Sequence, residues 1–224
     1  MRDSEIRSAV EKELAWETRL NPVGISAEVL DGVVTFSGCV ATYPQRHEAE
    51  RAAGRVRGVR AVVDHLEVRI PGAYKRTDED IAKAAACVIG SNTELPAGSI
   101  RISVDKARVN LEGIVDYQFQ RASADRSVRF LTGVRHINNH IVIKPHADRQ
   151  PVKADIEAAL LRRADLDAHE ISVDIEGDNV TLGGSVKSWR QRAEAERAGW
   201  ASPGVCHVVN NITVNPALGL AKTA

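Results

Sequence analysis

Apolar residues along this chain fall into an order that repeats. Ile6, Val10 and Leu14 stand at i, i+4 and i+8, the spacing of one helix face. Ile81, Ala84, Ala85 and Val88 form the same stripe, and Ile156, Ala159 and Leu160 form it again. After each stripe the period changes to two. Ile25, Ala27 and Val29 alternate with polar residues, as do Ile100, Ile102 and Val104, and then Ile171, Val173 and Ile175. A short turn and a second alternating run follow, "GVVTFSGCV" in the first copy. Next comes a helical segment with a face of small residues: Ala49, Ala52, Ala53 and Val56, matched by Ala195 and Ala198. A third alternating run closes each unit.

The copies superpose at constant shifts. Adding 75 carries Val34 to Val109, Gly38 to Gly113, Gly58 to Gly133 and Val68 to Ile143. Adding 146 carries them to Val180, Gly184, Gly204 and Val214. Many matches at one shift signify repeated modules, placed at 1–72, 77–146 and 152–217. The joints "PGAYKRT" and "PHADRQPV" are short and begin with proline, so the modules are expected to sit close together. The tail "PALGLAKTA" is expected to fray.

Each unit reads α-β-β-α-β. The predicted fold is α+β: three tandem αββαβ two-layer modules, each a three-stranded mixed sheet covered by two helices. The second helix joins strands two and three as a crossover, so those strands should run parallel; strand order stays open. Asp3, Asp78 and Asp155 lie near the helix starts, as caps or favourable first-turn charges. The hairpin turns read "LDGV" and "EGDN" in the outer units. The middle unit has "DKAR" with no glycine, which predicts a longer or strained turn.

Two recurrent features call for a physical reason. Gly38, Gly113 and Gly184 occupy the second strand where alternation asks for a hydrophobe. The expectation is that an absent side chain lets the alanine-faced helix approach the sheet, or that the strand bulges there. Asp64, Asn139 and Asn210 occupy an inward parity of strand three. A hydrogen bond to nearby backbone, closing the loop after the second helix, is expected, with a ligand contact as the alternative.

The pattern "DGVVTFSGCV…A…A…GV…V…LEV", with "GV" again before "VNNITV", resembles the BON domain of bacterial osmotically inducible and nodulation proteins. The glycine in strand two and the Gly-Val pairs beginning at Gly58, Gly133 and Gly204 carry it. The resemblance implies a non-enzymatic αββαβ module. Its relatives are linked to osmotic and envelope stress, several to phospholipid binding, and one, paired with another module, to potassium.

Composition narrows the classes further. The 224 residues carry 30 basic and 30 acidic side chains and 4% aromatics, which argues against a nucleic-acid-coating protein. "MRDSEIRSAVEKEL" lacks an apolar run of signal-peptide length, so a cytoplasmic location is expected. Cys39, Cys87 and Cys206 are scattered and propose no disulfide framework. His136 and His140 fall on a strand, too far apart to share a metal, and a solvated outer face is expected for them. No catalytic motif, metal set or cofactor fingerprint is present.

One element suggests a contact surface. Tyr43 and Trp189 occupy equivalent places in the loop before the second helix, and Tyr117 and Phe119 flank that place in the middle unit. Arg46, Arg121, Arg190 and Arg192 lie beside them. Rings at headgroup level with guanidinium groups on phosphate would suit a phospholipid surface. Alternatively, the rings pack on a neighbouring module or a protein partner and the arginines stay solvated. The expected class is a non-catalytic stress-associated protein binding phospholipid or a protein partner. A potassium or small-ligand sensor, and a scaffold self-associating through strand edges, are the alternatives.

Overall fold

The computed structural model describes residues 2–145, 153–162, 170–202 and 204–215. The first module runs α1 (Asp3–Trp16), β1 (Ile25–Leu30), β2 (Val33–Val40), α2 (Tyr43–Arg55) and β3 (Ala61–Val68). The second runs α3 (Asp78–Gly90), β4 (Ile100–Asp105), β5 (Arg108–Val115), α4 (Gln118–Arg129) and β6 (His136–Ile143). The third runs α5 (Lys153–Leu161), β7 (Ile171–Glu176), β8 (Asn179–Val186) and α6 (Trp189–Gly199). Its last strand is in two pieces, β9 (His207–Asn210) and β10 (Thr213–Val214). The second joint, at 146–152, and the tail, at 216–224, lie outside the described residues.

The middle strand of each module is central. β2 pairs antiparallel with β1 and parallel with β3, and the same holds for β5 and β8. A helical connection returns the chain to its starting end, and this makes the β2–β3 pair parallel. The helix stripes face the sheets: Ile6, Val10 and Leu14 are buried with Val34 and Phe36, under the small face Ala49, Ala52 and Ala53. Three cores result, one per module, centred on Phe36, Leu111 and Leu182. Each such side chain withdrawn from water contributes about 1.5–3 kcal/mol.

The strand-two glycines do something other than admit a helix. Gly38 is exposed, with φ +115°, and a Cβ there would lie 2.1 Å from the carbonyl oxygen of Gly24. Gly113 and Gly184 meet the carbonyls of Ser99 and Glu170 at 2.1 and 2.0 Å. The close neighbour is therefore the backbone entering the first strand, not the alanine-faced helix. That backbone turns into the sheet where a side chain would stand, and a positive φ tilts the glycine to receive it. Gly58, Gly133 and Gly204 also have positive φ, in the turn after the second helix.

The glycine-free turn is strained but no longer than the others. Lys106 and Ala107 connect β4 to β5 as a two-residue turn with φ +50° and +61°. The Asp78 carboxylate accepts both their amides, each at 2.8 Å. Asp3 does the same for Asp31 and Gly32 at 2.8 and 3.0 Å. These first-turn aspartates thus tie each helix start to its module's hairpin as well as facing the positive end of the helix. Asp155 lies in the first turn of α5.

Candidate functional site

The loop before each second helix is held by a repeated glutamine. Gln45 Oε1 accepts Ala41 N at 3.0 Å, Gln120 Oε1 accepts Asp116 N at 2.9 Å, and Gln191 Oε1 accepts Lys187 N at 2.8 Å. Thr42 and Ser188 cap the helices in return, accepting the amides of Gln45 and Gln191. The box holds the entry to each helix, and Tyr43 and Trp189, expected from the sequence to lie in the loop, are instead the first residues of their helices. Sequence reasoning passed over these glutamines, although they stand at the shared repeat offsets.

The polar residues of strand three brace the same helix. Asn139 Nδ2 donates to the carbonyl of Arg121 at 3.1 Å, and Asn210 Nδ2 to that of Arg192 at 3.2 Å. Each also accepts the amide two residues on, as Asp64 does from Leu66 at 2.8 Å. Asp64 holds its helix differently, through the guanidinium of Arg46 at 2.7 Å. Asn210 has no charge to offer, and Arg192 instead donates to the carbonyls of Asn210 and Ile212 at 2.6 and 3.0 Å. Those bonds coincide with the break between β9 and β10. Arg46 and Arg192 are therefore structural braces, where sequence reasoning left them solvated or facing lipid.

Two of the aromatic residues are turned into neighbouring modules. The Tyr43 ring meets His136 of the second module edge to face, with centroids 6.2 Å apart. Burial and the Asp125 carboxylate hold its phenol above the ordinary range. Trp189 lies over Gly54 of the first module, where a Cβ would come within 2.6 Å of Cδ1, and Arg192 stacks 4.9 Å from the ring centroid. His136 is correspondingly half-buried at a seam, not on the solvated outer face expected for it, while His140 is exposed. Burial, then the guanidinium of Arg46, keeps His136 below the usual imidazole range. His47, beside Arg129, is lowered by the same two effects, and Glu50 is raised by burial and by Asp64.

The middle module presents its rings to solvent. Tyr117 and Phe119 stack with centroids 5.6 Å apart and are 38% and 54% exposed. Ile114 and Val142 pair across β5 and β6 on the outer sheet face and are 61% and 52% exposed. Lys144, whose amide donates to Val115 O at 2.8 Å, continues the strand beside them, and Arg121 lies one turn into α4. A groove of about 410 Å³ separates α2 from α6, walled by Trp189, Gly54, His47, Glu50, Arg190 and Arg197.

Among the described residues no group of three His, Cys, Asp or Glu side chains could hold a metal ion, and no helix is long and apolar enough to cross a membrane. Fold and loops together define a tandem αββαβ repeat protein in which the second helices of the first and third modules begin on residues that rest against a neighbouring module. A family model described as the BON domain matches residues 2–70, 77–145 and 148–216, and the chain belongs to that family. Among curated proteins it is similar to osmotically-inducible protein Y of Escherichia coli K12. The two are 30% identical over 153 residues, covering 64% of this chain and 74% of that protein. Among solved structures it is similar to CdsD, a structural protein of the type III secretion system of Chlamydia trachomatis. That likeness has 14% identity over 98% of this chain and 99% of the other, with a TM-score of 0.24. The PrgH periplasmic domain matches at 11% identity over 85% and 95%, with a TM-score of 0.23. At these scores nothing follows for this chain.

Proposed function

We propose that this BON-repeat protein serves in the response to osmotic stress as a non-catalytic binding protein, and that it meets a phospholipid surface through the end of its middle module. The relative named for osmotic induction supports the first part. The exposed stacked pair Tyr117 and Phe119, with the exposed strand pair Ile114 and Val142 of the same module, carries the second. This combination is peculiar to this module. The positions equivalent to Ile114 and Val142 are Cys39 and Glu67 in the first module, and Ser185 and Thr213 in the third. The helix-entry residues Tyr43 and Trp189 are already packed on neighbouring modules.

Two physical effects support a lipid surface. Withdrawing a Phe, Ile or Val from water contributes up to about 1.5–3 kcal/mol each when burial is complete. Arg121, in the first turns of α4, and Lys144, just past β6, add basic groups able to attract phosphates. The formal net charge of zero gives no long-range attraction, so binding is local and weakens with salt. Co-sedimentation with anionic and zwitterionic vesicles at low salt tests this. The wild type should pellet with anionic vesicles, and Tyr117→Ser/Phe119→Ser should remain in the supernatant. A wild type that stays in the supernatant with both vesicle types discards the lipid reading.

A further inference from the structure

Superposing the modules by their offsets aligns Tyr43, Gln118 and Trp189 at the first position of the second helix. It also aligns Gly54, Arg129 and Trp200 at the end of that helix. Two contacts between modules use these positions in the same sense. Tyr43 of the first module sits on the second, against His136 and within the field of Asp125 and Arg129. Trp189 of the third sits on Gly54 of the first. The same rule at the remaining seam places Gln118 of the second module on Trp200 of the third.

Three independent observations meet at that seam. Trp200 packs against the cores of both the second and the third modules. Cys206 of the third module is buried in the core of the second. Gln118 Oε1 and Trp200 Nε1, an acceptor and a donor, are both buried without a hydrogen-bond partner. Polar atoms enclosed in this way at the start of one second helix and the end of another fit two surfaces pressed together there, and Arg129 Nε, at the equivalent helix end of the second module, is enclosed likewise.

We infer that the three modules close head to tail into an intramolecular pseudo-threefold ring. In it the first residue of each second helix is a knob and the last turn of the next module's second helix is its socket. The residue pair at each seam sets the cyclic order. Trp189 needs the socket at Gly54, where there is no side chain, whereas Arg129 and Trp200 place large side chains at the equivalent positions. A head-to-tail interface either closes into a ring or propagates between molecules. Here one chain supplies all three copies, so each socket is filled from within and the interface leaves no free end. The seam between the third and first modules has no covalent joint, and its closure rests on Trp189 and Gly54.

Gly54→Ala in the full chain tests this, because the ring reverses the usual sign. Gly54 lies inside α2 without a positive φ, and Gly→Ala at such a position ordinarily strengthens a helix. With the ring closed, the new Cβ collides with Trp189. Gly54→Ala should then lower the melting temperature and raise the radius of gyration in solution scattering above the about 17 Å of a compact chain of this length. In a Trp189→Ala background the same change should raise the melting temperature. A rise in both backgrounds, with an unchanged radius, would overturn the ring. So would a fall in both, since the defect would then lie inside the first module. Neither readout involves lipid, so the outcome is independent of the vesicle experiment.

Discussion

Replacing Gly38 by alanine tests why each module of this chain carries a glycine at the same place in its second strand. Two costs add. The residue sits at φ +115°, where a non-glycine residue costs about 1–3 kcal/mol. The new methyl would lie 2.1 Å from Gly24 O, far inside contact distance. That carbonyl cannot retreat freely, because Ile25, the next residue, pairs with Gly38 in the β1–β2 ladder. Overpacking of this kind costs about 1–3 kcal/mol. The sum is about 2–6 kcal/mol, against a stability of about 4–10 kcal/mol for a module of some 70 residues. Each kcal/mol moves the midpoint of such a domain by about 4–8 °C, so the first module should melt at least about 8 °C lower. Differential scanning calorimetry on the full chain reads the shift. Gly72→Ala is the control, because a Cβ there meets nothing within 4 Å. If Gly38→Ala moved the melt no further than the control, the close-approach account would be wrong.

Other outcomes follow from the same geometry. Asp78→Ala releases the amides of Lys106 and Ala107, each held at 2.8 Å, and in this partly exposed turn should cost about 1–2 kcal/mol. Ala107→Gly, which relieves a residue at φ +61°, should return about 1 kcal/mol by thermal melting, and a failure to do so would remove strain from the explanation. The first seam should also be sensitive to acid. His47, faced by Arg129 and Asp125 of α4 and flanked by Glu48 and Arg51, is held below 6.5 chiefly by burial, as is His136, faced by Arg46 and Arg108. The unfolded chain therefore takes up these protons first. Their contribution is complete above 6.5 and is lost as pH falls through 6.5 toward the lower folded values. Glu50, raised by burial and by Asp64, acts in the opposite sense at lower pH, gaining stability as it protonates. Melting temperature against pH should fall on the acid side of neutrality, and His47→Gln/His136→Gln should flatten that slope; equal slopes would refute the assignment.

Module count, element order and the parallel pairing of the last two strands were all legible in the residues. Each follows from local pattern: a helical stripe, a period of two, and a helical connection too long for a hairpin. The strand-two glycines announced that a side chain was forbidden, but not what forbids it. The obstructing atoms belong to Gly24, Ser99 and Glu170, residues whose side chains carry no trace of the contact because their main-chain carbonyls make it. The asparagines of strand three were legible as polar groups seeking backbone, since a half-buried amide admits few other solutions.

What the residues alone settled about this protein is its repeated unit, because short-range periodicity and turn chemistry act within a few positions along the chain. What only the tertiary structure decided is the fate of the aromatics at the helix entries. Tyr43, Trp189 and the Tyr117–Phe119 pair begin the same helix in three copies, yet two rings enter seams and one pair faces water. The difference lies in the surface each helix entry meets, built by residues such as Gly54 and His136 from another module. A contact of that kind depends on how whole modules stack, and no local pattern encodes it.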